Sequence, residues 1–362
     1  MKAAVLPEVG APLEIADVEL APPGPHQVEV RVAASGVCHS DLSMQNGGIP
    51  YPLPAVLGHE GSGVVEAIGS AVTRVQPGDH VVLSWIPPCR ACPRCLGGQP
   101  VLCERGLTDA LSAPYATWAG RPLLAAMGTA TFAERALVLE RSVVPIDPSL
   151  SLEVAALVGC AVTTGVGAVI NTARVSPGST VAVVGCGGVG LSVVQGAAVA
   201  GAASIVAVDR VSDKLVLASG MGATEVVDAS ENDAIDVVRE LTGGRGVDFA
   251  FEVVGSSPTI KQAFGMTRRG GTTILVGAGR PDDIVSFTAM ELFVDAKSIL
   301  GCVYGSADPD RDFPRLLELD RAGRLHLDRL ISRRIALDEV NDAFRAMDAG
   351  EVARSVIVFG ES

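Results

Sequence analysis

Four cysteines in one short stretch carry the clearest chemistry in the sequence. Cys89, Cys92, Cys95 and Cys103 are spaced C-x2-C-x2-C-x7-C between the turn pairs Pro87-Pro88 and Gly97-Gly98. Four thiolates this close can complete a tetrahedron around Zn²⁺. Such a site has no open coordination position, so it holds a loop and does no chemistry. A redox C-x-x-C opens a helix after a strand, whereas these cysteines fall in a loop. Three scattered residues have the types of a second, open metal site: Cys38 in Gly36-Val37-Cys38-His39-Ser40-Asp41, His59 in Gly58-His59-Glu60, and Cys160 in Gly159-Cys160-Ala161. Each is weak alone, because a lone buried cysteine usually behaves as a small hydrophobe.

A third constellation points to a nucleotide. Val181-Ala182-Val183-Val184-Gly185-Cys186-Gly187-Gly188-Val189-Gly190 reads as a strand, a glycine turn and the start of a helix, and Asp209 follows nineteen residues after Gly190. Glycines there let backbone N–H groups approach a pyrophosphate at the positive end of the helix. An acid at Asp209 can accept hydrogen bonds from both ribose hydroxyls and repels a 2′-phosphate. The motif therefore favours NAD over NADP, with Arg210 as a mild counter-signal.

The elements that must position these residues change character along the chain. Up to about residue 150 the sequence is β-rich: Val28–Ala34 alternates apolar and polar residues, and Gly63–Ile68 and His80–Leu83 read as short strands with Pro77-Gly78 between them. From Ser179 apolar runs alternate with helical stretches. The strands are expected at Thr180–Val184, Ser204–Val208, Glu225–Val227, Val247–Val254, Thr272–Val276 and Ser298–Val303. Six strands with crossover helices predict an α/β, doubly wound parallel sheet of the Rossmann kind. A last strand, Ser355–Phe359, is expected to rejoin the N-terminal domain.

Composition limits the partners. The formal charge of −13 argues against nucleic acid or an anionic membrane. The most apolar stretch, Val154 to Ile170, is broken by Gly159, Cys160, Thr163, Thr164, Gly165 and Gly167, where a membrane span wants about 20 apolar residues. The N-terminus shows no signal-peptide core. These features read as a soluble, cytoplasmic protein, and eight cysteines in that setting point to metal or catalysis rather than disulfides.

The run Gly58-His59-Glu60-x2-Gly63-x5-Gly69-x2-Val72 matches the zinc signature of the medium-chain alcohol dehydrogenases. Cys38-His39-Ser40-Asp41, the four-cysteine lobe, Cys160 and the glycine turn fall in the family's order. The chain resembles that family over essentially its whole length, most of all the horse-liver and glutathione-dependent formaldehyde dehydrogenase branch and its bacterial relatives. The resemblance implies a β-rich GroES-like catalytic domain of residues 1–163 and 305–362, with a structural zinc lobe at about 86–104, and a Rossmann domain of residues 164–304. It implies two Zn²⁺ ions per chain: a catalytic one on Cys38, His59 and Cys160, and a structural one on Cys89, Cys92, Cys95 and Cys103. Zinc so held lowers the pKa of a hydroxyl it binds and favours loss of hydride to NAD.

By the same resemblance Asp41 fixes the tautomer of His59, with Glu60 beside it. Ser40 accepts the alcohol proton, while Ser43 stands where the horse-liver type has a relay histidine. His39 and Arg354 neutralise the pyrophosphate that Gly185, Gly187, Gly188 and Gly190 approach. Lys214 joins Asp209 at the ribose, and Thr164, Val189, Val254 and Val276 border the nicotinamide. Trp85 walls the substrate pocket and favours primary alcohols, and Leu107–Met127 reads as a long pocket-shaping loop. The implied activity is reversible oxidation of a primary aliphatic, allylic or aromatic alcohol to its aldehyde. The alternatives are oxidation of a formaldehyde adduct of glutathione or mycothiol, and a nicotinoprotein with tightly bound NAD. A homodimer is expected, with a tetramer as the alternative.

Overall fold

The structure, a computed structural model, describes residues 1–112 and 115–360. The chain falls into two compact units. One comprises Met1–Ala161, Asp308–Glu318 and Leu327–Ser362, and the other Val162–Ala307 and Leu319–His326.

The first unit is organised around β1 (Gln27–Val37), an eleven-residue strand. Its alternation sends Val28, Val30 and Val32 into a core with Val65, Val81, Leu83, Ala136, Val138 and Val143. Each fully buried valine contributes roughly 1.5–3 kcal/mol relative to exposure. Helix α1 (His39–Gln45) follows directly. β1 pairs antiparallel with β2 (Glu60–Ile68), and β2 in turn with β3 (His80–Leu83). The C-terminal strand Ser355–Val358 pairs antiparallel with the far end of β1. The register does the positioning: Gly36 lies opposite Glu60, and Val37 opposite Ser355. Three segments distant in sequence therefore deliver Cys38, His59 and Arg354 to one end of the sheet.

The second unit is a sheet of parallel strands, β4 (Thr180–Val184), β5 (Ser204–Asp209), β6 (Glu225–Asp228), β7 (Val247–Glu252), β8 (Thr267–Leu275) and, beyond helix α2 (Ala289–Asp295), β9 (Ser298–Gly301). The spatial order is β6-β5-β4-β7-β8-β9. That is the order 3-2-1-4-5-6 of a doubly wound fold, with its switch point between β4 and β7, where ligands bind at the carboxyl ends of the strands. Val181, Ala182 and Val183 are wholly buried, as expected of a strand covered on both faces.

Two expectations need correction. Leu107–Met127 is not a long loop: it holds a helix, Gly106–Ser112, and a hairpin of Ala116–Trp118 and Arg121–Ala125. The hairpin turns on Ala119 (φ 50°) and Gly120 (φ 73°), the pair of positive φ values that a two-residue type I′ turn requires. Ala113 and Pro114, part of the same stretch, lie outside the described residues. The C-terminal domain boundary also differs, because Leu319–His326 belongs to the second unit and not to a first-domain block 305–362. Leu325 is buried, and the His326 amide donates to Gln195 Oε1 at 2.7 Å. Among the described residues no single helix is long and apolar enough to cross a membrane; the apolar pair Leu152–Gly159 and Ala161–Ala173 is bent by 56°.

Candidate active site

Each residue of the scattered triad is placed by a local device. Cys38 ends β1 and starts α1, where Asp41 reaches back so that its Oδ2 accepts from the Cys38 amide at 3.2 Å. This is half of a capping box. His59 follows Gly58, whose φ of +92° and near contact with Phe132, 2.5 Å from where a Cβ would sit, admit no side chain. Cys160 follows Gly159, where a Cβ would lie only 3.1 Å from the Leu83 carbonyl oxygen. The three ligand atoms lie within 4.8 Å of one another, and all three residues are buried.

The donor set suits zinc. His59 Nδ1 lies 3.1 Å from Asp41 Oδ1, which also accepts from the Gly58 amide at 3.0 Å. Asp41 Oδ1 and Oδ2 are thus both engaged as acceptors, so the His59 proton sits on Nδ1 and the Nε2 lone pair is left for a metal. Nε2 is buried and has no hydrogen-bond partner in the protein. A buried nitrogen without a partner costs free energy unless something binds it. The Cys38 thiol is held well below its ordinary range by a hydrogen bond with Cys160, with help from the charge of Arg354 and against burial. That favours the thiolate a metal needs.

Glu60 and Arg354 complete the surroundings. Glu60 is fully buried; its Oε1 accepts from the Ala161 amide at 2.9 Å, and its Oε2 lies 3.3 Å from Arg354 Nη1. Burial pushes the Glu60 carboxyl up to about 7, with Arg354 opposing the shift. Arg354 is only 4% exposed and donates to the Val37 carbonyl at 2.8 Å. This side chain, expected at a pyrophosphate, faces Glu60, a partner that no sequence spacing announced. Ser40 Oγ is 3.9 Å from Cys38 Sγ, and His39 is exposed. The half-buried Trp85 and His59 set their rings T-shaped to each other, with centroids 6.2 Å apart.

The four clustered cysteines also bring their sulfurs within 4.8 Å of one another. The Cys92 amide donates to Cys89 Sγ at 3.3 Å and the Cys89 amide to Cys103 Sγ at 3.2 Å. Backbone donors from Ala91 and Cys92 bring the Cys89 thiol down to about 6. Arg90 ties the lobe to Asp308 and Asp310.

In the second unit the glycine turn lies between β4 and the helix Gly188–Val199. Gly187 is its N-cap without a side-chain cap bond, and a Cβ there would meet only open space. The helix thus presents uncapped amides where an anion would sit. Gly185 takes φ +97°, and a Cβ on Gly190 would fall 1.8 Å from the Gly185 oxygen, so both must be glycine. Asp209, at the end of β5, accepts from the amides of Cys186 (2.7 Å), Arg210 (2.8 Å) and Val211 (3.0 Å). It is anchored beside the turn, and Lys214 stands half-buried one turn on. Thr164, Val189 and Val276 are half-buried, and Val254 is exposed.

Residues 24–148 match the family model described as alcohol dehydrogenase GroES-like domain, and residues 188–321 the one described as zinc-binding dehydrogenase. The chain is 40% identical to the NDMA-dependent alcohol dehydrogenase of Amycolatopsis methanolica, over 99% of this chain and 98% of that protein. It belongs to the zinc-dependent medium-chain alcohol dehydrogenases. The crystal structure of benzyl alcohol dehydrogenase from Acinetobacter calcoaceticus is similar at 36% identity and a TM-score of 0.92. An alcohol dehydrogenase zinc-binding domain protein from Burkholderia ambifaria reaches 36% and 0.94, and each match covers 99% of both chains. This dehydrogenase is thus an oxidoreductase of small-molecule alcohols and aldehydes, with zinc and a nicotinamide dinucleotide as its cofactors.

Proposed function

We propose that this dehydrogenase oxidises a primary alcohol, aliphatic, allylic or aromatic, to the aldehyde with NAD, and runs the reverse reduction. The observation that carries this reading is the buried triad with an unpartnered His59 Nε2 and the Trp85 ring set T-shaped against that of His59. Zinc on Cys38, His59 and Cys160 supplies Lewis acidity to the substrate oxygen, and the dinucleotide supplies the hydride acceptor. Asp41 holds the His59 proton on Nδ1. Ser40 takes the hydroxyl proton of the alcohol. Trp85 crowds a second carbon substituent, which disfavours secondary alcohols. In the second unit the uncapped helix start at Gly187 and Gly188 receives the pyrophosphate, and Asp209 and Lys214 receive the ribose. The cysteines at 89, 92, 95 and 103 hold the structural ion.

Initial rates with primary, secondary, aromatic and terpenoid alcohols, each with NAD and NADP, test this reading. Primary substrates with NAD are expected to dominate; faster turnover of secondary alcohols or with NADP would overturn it. The likeness to an NDMA-dependent enzyme favours a second form of the same activity, in which the cofactor stays bound and an external acceptor recycles it. A purified protein that carries nicotinamide through gel filtration selects that form.

The assembly we favour is a homodimer through the edge of the parallel sheet. β9 is its last strand, and Met290, Phe293, Val294, Leu300 and Val303 are exposed in α2, in β9 and just beyond it. Pairing that edge across a two-fold axis hides it. A Phe293→Asp variant should then sediment as a monomer. None of the eight cysteines is in a disulfide, which suits a reducing compartment, and the cytoplasm is our reading of its location.

A further inference from the structure

We propose that Glu252 is a positioning residue for the nicotinamide end of the dinucleotide site. It rests on the reading that Val254 and Val276 border the nicotinamide. Glu252 closes β7 and is fully buried. One oxygen, Oε1, accepts three hydrogen bonds: from the Val254 amide at 2.9 Å, the Gly255 amide at 2.7 Å and the Thr259 hydroxyl at 2.7 Å. Its main-chain carbonyl accepts two more, from the amides of Val276 at 2.8 Å and Gly277 at 3.0 Å. The next amide, Val253, donates to the Val184 carbonyl at 2.9 Å, one residue before the glycine turn. Glu252 thus joins the carboxyl end of β7 to the segment after β8 and to the turn at Val254–Gly255, and its neighbour Val253 joins β7 to β4.

The join is tight. A Cβ on Gly277 would sit 2.2 Å from the Gly255 nitrogen, and one on Gly185 would sit 2.7 Å from Val254 Cγ2. Gly255, at φ +85°, has no side chain of its own to fix the turn, so the Glu252 carboxylate supplies the anchor. Removing it leaves the Val254 and Gly255 amides without an acceptor and frees the segment that carries Val254. The glycine turn at 185–190 and Asp209 depend on none of these side-chain bonds. The adenosine and pyrophosphate end should therefore be spared.

Calorimetric binding of NAD and of ADP-ribose, which lacks the nicotinamide, tests this on the zinc-loaded enzyme after any retained cofactor is removed on charcoal. Glu252→Ala is expected to weaken NAD by about tenfold or more while ADP-ribose stays within about twofold, because a disordered wall costs only the ligand that meets it. Glu252→Gln keeps an oxygen for the same three donors and should recover most of the loss. Should the alanine variant fail to fold, Thr259→Val, which deletes one of the three donors, is expected to weaken NAD alone, by roughly threefold. Parallel loss of both ligands, or no loss of either, overturns the proposal. Wild-type protein that binds neither ligand overturns the dinucleotide reading itself. An NAD affinity lost in Asp209→Ala together with ADP-ribose, but intact in Glu252→Ala, keeps that reading and rejects the role of Glu252.

Discussion

Asp41 Oδ1 lies 3.1 Å from His59 Nδ1, and both side chains are buried. The same carboxylate accepts from the amides of Cys38 and Gly58. One acid therefore fixes the backbone of one ligand, Cys38, and both the ring of another, His59, and the backbone just ahead of it. Replacing Asp41 with alanine should weaken zinc at the Cys38–His59–Cys160 site by roughly 10–100-fold, the usual cost of losing a carboxylate behind a ligating histidine. Competition against a chelator of known affinity measures it, with the four-cysteine site as the internal control. Unchanged affinity would mean that Asp41 orients nothing.

Trp85 predicts selectivity. On our proposed reading the indole, set T-shaped against the His59 ring, takes the room a second carbon substituent needs. Trp85→Ala should raise the ratio of secondary to primary alcohol kcat/KM by roughly tenfold or more, the scale on which hydrophobic pockets discriminate. Matched pairs such as 1-butanol and 2-butanol show it. A ratio that does not move would place the indole away from the alcohol carbon.

The four-cysteine lobe predicts a stability effect separate from chemistry. Cys103→Ser removes a ligand whose sulfur also accepts the Cys89 amide. Zinc content should fall by about one ion per chain, because a closed site tolerates no lost thiolate. Tm should drop as well, and amide exchange should rise first in the lobe around Arg90. A variant that keeps its zinc and its Tm would exclude the structural assignment.

Asp248 gives a pH dependence well away from either metal site. Its Oδ2 accepts from the Thr180 amide (2.7 Å) and hydroxyl (2.8 Å), and its Oδ1 from Arg268 (2.6 Å). Burial raises its pKa, yet these partners outweigh burial and hold the carboxyl below its usual 3.8. A folded-state pKa below the unfolded one adds stability that is present above about pH 4 and disappears as pH falls through the folded value. Asp248→Asn should therefore lower Tm near neutrality, and the gap to wild type should close as pH is taken from about 5 toward 3.5. A gap that widens on acidification has the wrong sign.

What the sequence revealed follows the physics of each signal. The lobe was legible because its four ligands fall within one short stretch, so spacing alone defines the site, although Cys95 lies in a short helix, Pro93–Leu96, that the loop reading did not expect. The parallel strands were legible because buried valine runs alternate with helices, as at Thr180–Val184 and Ala234–Leu241. Spacing could not join the triad, which the sequence offered only through the signature around His59: Cys38, His59 and Cys160 meet through the register of Gly36 with Glu60 and the close approach at Gly159. The hairpin at Ala116–Ala125 was missed because its turn rests on Ala119 taking a positive φ, which alanine does not advertise. The fate of Leu319–His326 was hidden because one helix, Pro309–Arg321, runs across the boundary and its pattern is continuous. The burial of Arg354 against Glu60, and that of Glu252, comes from tertiary contacts that no sequence pattern announces.

The central claim is that this chain binds two zinc ions in chemically distinct sites, one of them the buried triad. Metal analysis of native protein and of Cys38→Ser tests it most directly. Two ions per chain in the native protein, falling to one in the variant with NAD affinity and fold retained, is the predicted result. One ion per chain in the native protein, or two in the variant, would contradict it.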